Sequence, residues 1–390
     1  MWDRFSPAEL GRRYAAARAL IDERSLDALV LFGNSGVNRH NHANVFWLTN
    51  HLDLHHCYLV LPREGDPVLF VGLTNHVPNA REVSDIATIE WGGYRPADKV
   101  VERLRGVRRV GLVGVNAAFE MGMPYAHYLA LRERVPELVD VTGDFQRLRL
   151  VKSDEEVEWL RRAAELTDRA ILAVAEQARP GLTEMELVAI AEAAYRPHGG
   201  MPHITFLRSM AMDEPTGCLP AQNPSRRRLA PGDVIITEFS ASYWGYSGQI
   251  HRPIFVGAEP TAIWQRMFDV AKQAYDGIAG VLRPGATEAD VLAAATPITD
   301  AGYAIYDDLI HGYGVDILPP LIDRERLGVS DTVSLDGGRP IVERGMAIVV
   351  QPNPITPDER MGLQLGALTI VREEGAECLH GVPFEPLLAA

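Results

Sequence analysis

Apolar residues follow two rhythms along this chain. Short unbroken runs, Ala28 to Gly33, Cys57 to Leu61, Pro67 to Val71 and Arg109 to Val113, predict strands covered on both faces. Helical spacing near 97–105 and 124–134 alternates with them, so residues 1–148 read as a small α/β domain. Ser6-Pro7-Ala8-Glu9 is a capping box with proline at the first helical position, and it predicts an opening helix that runs to about Arg24.

A second capping box, Ser153-Asp154-Glu155-Glu156, opens a long helix to about Gln177 and begins a second domain over 149–390. Within it Arg179-Pro180-Gly181-Leu182-Thr183-Glu184 echoes Arg283-Pro284-Gly285-Ala286-Thr287-Glu288, each with a Pro-Gly stop and a threonine cap. The echo suggests a duplicated half-domain about a pseudo-twofold axis. Strands are predicted over 233–239, 249–255, 347–351 and 366–371.

Three of these segments carry candidate chemistry. The stretch Asp233 to Gly257 reads as an antiparallel hairpin, in which Glu238, Gln249 and His251 share a face because alternate strand residues point the same way. In Ile310-His311-Gly312-Tyr313-Gly314 two glycines allow close backbone approach beside a polar ring. The run Val349-Val350-Gln351-Pro352 is a buried strand that ends on a polar residue before a proline.

Composition narrows the classes. With 47% hydrophobic and 23% charged residues over 390 positions, the chain can bury two cores. A formal net charge of -14 opposes nucleic-acid binding, which needs Lys and Arg on phosphates. The basic run Arg226-Arg227-Arg228 is short enough to be a solvated turn. Three scattered cysteines, Cys57, Cys218 and Cys378, form no framework and suggest a reducing cytoplasm. No apolar run reaches the length of a membrane span, and the first residues lack the apolar core of a signal peptide.

The order GDxxxxE, GYSGQxHR, HGxG, QPxP and GxxxG, with the helix entry at Leu150 to Ser153, resembles the creatinase, aminopeptidase P and prolidase family (M24). That resemblance spans essentially the whole chain. It implies an α/β (α+β) protein, with a C-terminal pita-bread catalytic domain, a smaller N-terminal creatinase-like domain and a homodimeric assembly. It also implies five metal-ligand positions, which here hold Glu238, Gln249, His311, Gln351 and Gly366. Two neutral amides and a glycine do not balance two dications, so no metal and no cofactor are expected. Creatinase is the family's example of catalysis by side chains alone. Its two histidines, however, fall here on Gln222 and Leu318.

Each candidate has a plainer reading beside it. Glu238 is either a functional carboxylate or the ion-pair partner of Arg252, and His311 is either catalytic or a satisfied core histidine. Gln249 and Gln351 are either inert amides or donors to a substrate carbonyl. His203 and Tyr246 are either pocket residues or packing. In the N-terminal cluster, Arg39, Trp47 and His51 either belong to a solvated loop or, as the resemblance implies, lean over the site of a partner subunit.

The reading drawn from all this is a metal-independent, creatinase-like hydrolase that breaks a C–N bond in a small polar, nitrogen-containing molecule. His311 and Glu238 would be its acid/base pair. Gln351, Gln249, His251, Gln222, His203, Tyr246 and Tyr313 would hold the substrate. A lyase, isomerase or cyclase and a non-catalytic binding protein stand as alternatives, with a metal-dependent Xaa-Pro peptidase last. The expected partners are a small-molecule substrate and a second copy of the chain, with no nucleic acid and no membrane.

Overall fold

A computed structural model describes residues 3–33, 42–115, 122–322 and 341–390. The chain divides into two compact units, Met1–Arg149 and Leu150–Ala390. The first is built on six strands, β1 (Ala28–Gly33), β2 (Cys57–Pro62), β3 (Val68–Val71), β4 (Thr88–Trp91), β5 (Arg109–Val113) and β6 (Glu137–Asp140), in the order β4-β3-β2-β1-β5-β6. Strand alternation explains the unbroken apolar runs. Leu29 and Leu31 pack with Leu20, Leu59 and Phe145 on one face, while Val30 and Phe32 pack with Val60, Val68 and Leu131 on the other.

The opening helix Pro7–Glu23 is capped by Ser6, which accepts from the Glu9 amide. The Glu9 carboxylate grips Arg13, which is buried, donates to the Trp47 carbonyl at 2.8 Å and stacks on Phe5. Trp47 itself is a core residue, edge-on to Phe145.

The second unit carries β7 (Met201–Ala211), β8 (Asp233–Tyr243), β9 (Tyr246–His251), β10 (Ile254–Val256), β11 (Ala304–Ile305), β12 (Ile310–Gly312), β13 (Leu318–Ile322), β14 (Ala347–Val350), β15 (Pro354–Ile355), β16 (Gly366–Arg372), β17 (Gly375–Cys378) and β18 (Leu387–Ala389). The large sheet runs β13-β12-β14-β16-β9-β8-β10-β18, with β7 added on β8 and β17 on β16. Both copies of the sequence echo form capping boxes, Thr183 with Glu186 and Thr287 with Asp290, each after a glycine at positive φ.

The hairpin β8–β9 turns through Trp244 and Gly245, both at positive φ, with Tyr243 paired to Tyr246. The long helix Asp154–Gln177 lies against it. Thr167 Oγ1 donates to the Gly248 carbonyl at 2.6 Å and accepts from the Ala241 amide at 2.9 Å. A Cβ at Gly248 would stand 2.5 Å from Ala164 N, so only glycine lets helix and hairpin meet this closely. Gly248→Ala is therefore expected to destabilise the fold by about 1–3 kcal/mol through overpacking. Urea unfolding checks this, and an unchanged midpoint would contradict the close approach.

Candidate functional site

Strand register decides which side chains meet. Ser240 pairs with Gln249, and His251 pairs with Gly366, so Glu238, Ser240, Gln249, His251 and Gly366 share one face of the sheet. Across β16, β14 ends immediately before Gln351, and β12 brings in His311 opposite Val349. The cluster stays partly open at Glu238, Asp307 and Asp308, whereas Gln249, His251, His311 and Gln351 are buried.

A continuous polar chain joins these residues. Asp308 Oδ1 accepts from His311 Nδ1 at 2.9 Å and from Gln351 Nε2 at 3.0 Å. Gln351 Oε1 accepts from Gln249 Nε2 at 3.0 Å. The same amide nitrogen lies 3.0 Å from His251 Nε2 and 3.4 Å from Glu238 Oε1. The second nitrogen of His311, Nε2, is buried with no hydrogen-bond partner among the described residues. Tyr313 lies edge-on to His311 and shares a 3.0 Å hydrogen bond with Ser240.

Electrostatics separate the titratable groups. Burial, helped by Asp307 and Asp308, pushes Glu238 up to about 8, so it holds its proton at neutral pH. Burial and the neighbouring Asp308 likewise raise Asp307. His251 is driven down to about 3, chiefly by burial, and stays neutral to accept from Gln249.

Several expected residues fall elsewhere. Tyr246 lies on the opposite face from Gln249 by strand alternation, and its hydroxyl donates to Glu156 at 2.7 Å, so it joins the hairpin to the long helix rather than binding substrate. Gln222 is exposed on a loop. His203 sits at a bulge between Pro202 and Ile204, which turns its ring toward Tyr313 at 6.4 Å. Arg252 does not pair with Glu238. Its guanidinium donates to the carbonyls of His251, Gly366, Val382 and Pro383 and stacks on Phe384.

In the first unit Trp47 is buried packing, and His51 is buried beside Asp53, so neither presents a surface to a partner subunit. Arg39 lies outside the described residues. Asp307, Asp308, Asn353 and Ser240 were not anticipated. The available signal was the acid pair three and four residues before His311, a spacing that suits an imidazole–carboxylate bond.

The metal centre implied by the family resemblance does not fit these donors. At two of the five positions stand amides, and Gln249 turns its Nε2, a donor, toward Glu238. At a third, a Cβ on Gly366 would meet the Val350 carbonyl oxygen at 2.6 Å and Gln351 Cα at 3.0 Å, so no carboxylate has room there. Among the described residues no three His, Cys, Asp or Glu side chains are grouped to hold a metal ion. No helix of the described residues is long and apolar enough to cross a membrane.

Comparison with known proteins gives a consistent picture. Residues 158–373 match the model of Metallopeptidase family M24, and residues 13–151 match the Creatinase/Prolidase N-terminal domain. A probable dipeptidase PepE of Mycobacterium tuberculosis is 29% identical over 280 residues, 71% of each chain. An Xaa-Pro dipeptidase of Pyrococcus horikoshii is 22% identical over 365 residues, 92% of this chain and 94% of that one. Among solved structures, the prolidase from Pyrococcus horikoshii OT3 has a TM-score of 0.79 at 21% identity, covering 95% of this chain and 99% of its own. The dipeptidase PepE from Mycobacterium ulcerans has a TM-score of 0.78 at 24% identity, covering 99% of both chains. The fold is the two-domain pita-bread fold with a creatinase-like N-terminal domain. These findings overturn the expected creatinase-like reading, a metal-independent hydrolase of a small nitrogenous molecule, in its substrate, because the relatives are named as dipeptidases and Xaa-Pro dipeptidases.

The raised Glu238 has a measurable signature. Its folded pKa of about 8 exceeds the ordinary 4.5, so the folded state binds the extra proton and stability falls as pH rises between those values. Glu238→Gln removes this dependence. The variant's unfolding midpoint, relative to the unmodified chain, is expected to climb from pH 4.5 to pH 8. A constant difference would contradict the shift.

Proposed function

Because the chain belongs to Metallopeptidase family M24, whose model covers more than half of it, we propose that it hydrolyses the peptide bond of a short, dipeptide-sized substrate. The observation that carries the reading is the Asp308–His311 pair, whose free imidazole nitrogen shares a cluster with a protonated Glu238. The names of the relatives supply the substrate class, and the cluster supplies the acid and base.

The steps use the chain's own groups. Asp308, acting as acceptor, fixes the proton of His311 on Nδ1 and leaves Nε2 as a base. Nε2 takes a proton from water as the water oxygen bonds to the substrate carbonyl carbon. The C–N bond then breaks, and the leaving nitrogen takes the proton of Glu238. The proton left on His311 restores Glu238 through water. Gln351 holds Asp308 from its other side, which keeps the dyad oriented. Tyr313 packs the imidazole ring in place.

The proposed enzyme works as a homodimer in the cytoplasm. The three cysteines are all free thiols, which suits a reducing compartment. Sedimentation is expected to give twice the 43.0 kDa chain mass.

Turnover on a panel of Xaa-Pro and other dipeptides tests the reading. His311→Ala and Glu238→Gln are each expected to lower kcat/KM by about 10²–10⁴-fold, the usual range for lost acid or base catalysis. Activity of the unmodified chain should fall as pH rises through about 8, where Glu238 loses its proton. Both variants retaining full turnover, or no dipeptide being cleaved, would overturn it.

A further inference from the structure

The peptide-cleaving steps leave His251 and Gln364 without a role, although both are buried and His251 touches Gln249. Each ends in a polar atom with no hydrogen-bond partner among the described residues, Nδ1 of the imidazole and Oε1 of the amide. Burial keeps His251 neutral, and the adjoining Gln364 side chain is the neighbour that favours a proton on its ring.

The hydrogens of the network follow from one end of it. Asp308 accepts, so Gln351 turns Nε2 toward it and has Oε1 left for Gln249. Gln249 must then present its amino group, whose two hydrogens go to Gln351 Oε1 and His251 Nε2, both at 3.0 Å. The contact to Glu238 Oε1, at 3.4 Å, is the long arm of a shared hydrogen. A neutral imidazole that accepts on Nε2 carries its proton on Nδ1, and Gln364 Oε1 is the acceptor beside it.

The opposite tautomer would be felt along the whole network. With a proton on Nε2, His251 would meet the Gln249 amino group donor to donor. Turning Gln249 over would set its oxygen against Gln351 Oε1, and turning Gln351 as well would set an oxygen against Asp308 Oδ1. Every one of these arrangements leaves buried polar atoms unmatched. The last also withdraws Gln351 from the carboxylate that orients His311.

We propose that His251, held as the Nδ1–H tautomer by Gln364, is a positioning residue that fixes the Gln249 and Gln351 amides and through them the Asp308–His311 pair. The inference rests on the peptide-hydrolase reading and deepens it. His251 acts through Gln249 and takes no proton in the reaction.

Two measurements on the full chain test this. Neutron diffraction from crystals of the unmodified chain reads the hydrogens directly, with one expected on His251 Nδ1, none on its Nε2 and two on the Gln249 nitrogen. A hydrogen on His251 Nε2 would overturn the proposal whether or not any dipeptide is cleaved. The assigned hydrogens with no dipeptide cleaved would uphold the polarity of the network while the hydrolase reading falls.

The second measurement is kinetic, with the fold of each variant read by circular dichroism. Gln364→Met keeps the length of the side chain but removes the acceptor, and it is expected to lower kcat about tenfold or more with KM little changed, the scale of one buried hydrogen bond lost. His251→Leu should cost at least as much, and His251→Gln, which can still accept from Gln249, should recover part of the loss. The double variant Gln364→Met/His251→Leu should lose no more than His251→Leu alone, because both changes act through one bond. A folded Gln364→Met chain with unchanged kcat, or losses that multiply in the double variant, overturns the positioning role and leaves peptide hydrolysis standing.

Discussion

The carboxylate of Asp308 is the constraint on which the site depends. One of its oxygens receives both His311 Nδ1 and Gln351 Nε2, and through Gln351 the chain of hydrogen bonds continues to Gln249 and Glu238. Residues on or beside four strands, β12, β14, β9 and β8, are thereby fixed by side chains as well as by the ladder. A buried polar network of this kind holds its geometry only when its members are satisfied together. Loss of the Asp308 acceptor would free the imidazole and the Gln351 amide at once.

Much of the fold was legible because its local signals agree with its packing. The caps at Ser153, Thr183 and Thr287 start helices as their sequences indicate, and apolar runs such as Ala28 to Gly33 form strands covered on both faces. Departures have local causes. The expected strand 249–255 divides into β9 and β10 at Arg252 and Pro253, where proline offers no amide to a ladder and the arginine turns inward to four carbonyls. The extent of strand β7 is not legible in the sequence, because Met201–Ala211 mixes polar and apolar residues without clean alternation.

The site was less legible. Motif order singled out Glu238, Gln249, His251, His311 and Gln351, and the structure joins them in one network. Tyr246 departs from the pocket because strand parity sends it to the helix side. Trp47 and His51 read from the sequence either as a solvated loop or as residues that lean over a partner's site, but tertiary packing buries both. Asp307 and Asp308 are only weakly signalled in the sequence, because acids in a turn ordinarily face solvent, and only the register of β12 against β14 brings them beside Gln351 and Asn353. The substrate class came from the relatives rather than from the ligand positions, which have diverged from the pattern the family resemblance implies.

Steady-state dipeptide hydrolysis by Asp308→Asn tests the central claim most directly, since this change keeps the side-chain shape but removes the negative charge that holds the His311 proton on Nδ1. Fold retention is read from the same sample by circular dichroism. The account predicts a fall in kcat of about 10²–10⁴-fold with KM little changed, as expected when a base loses its orienting carboxylate. A folded Asp308→Asn chain that turns over at the rate of the unmodified protein would contradict it.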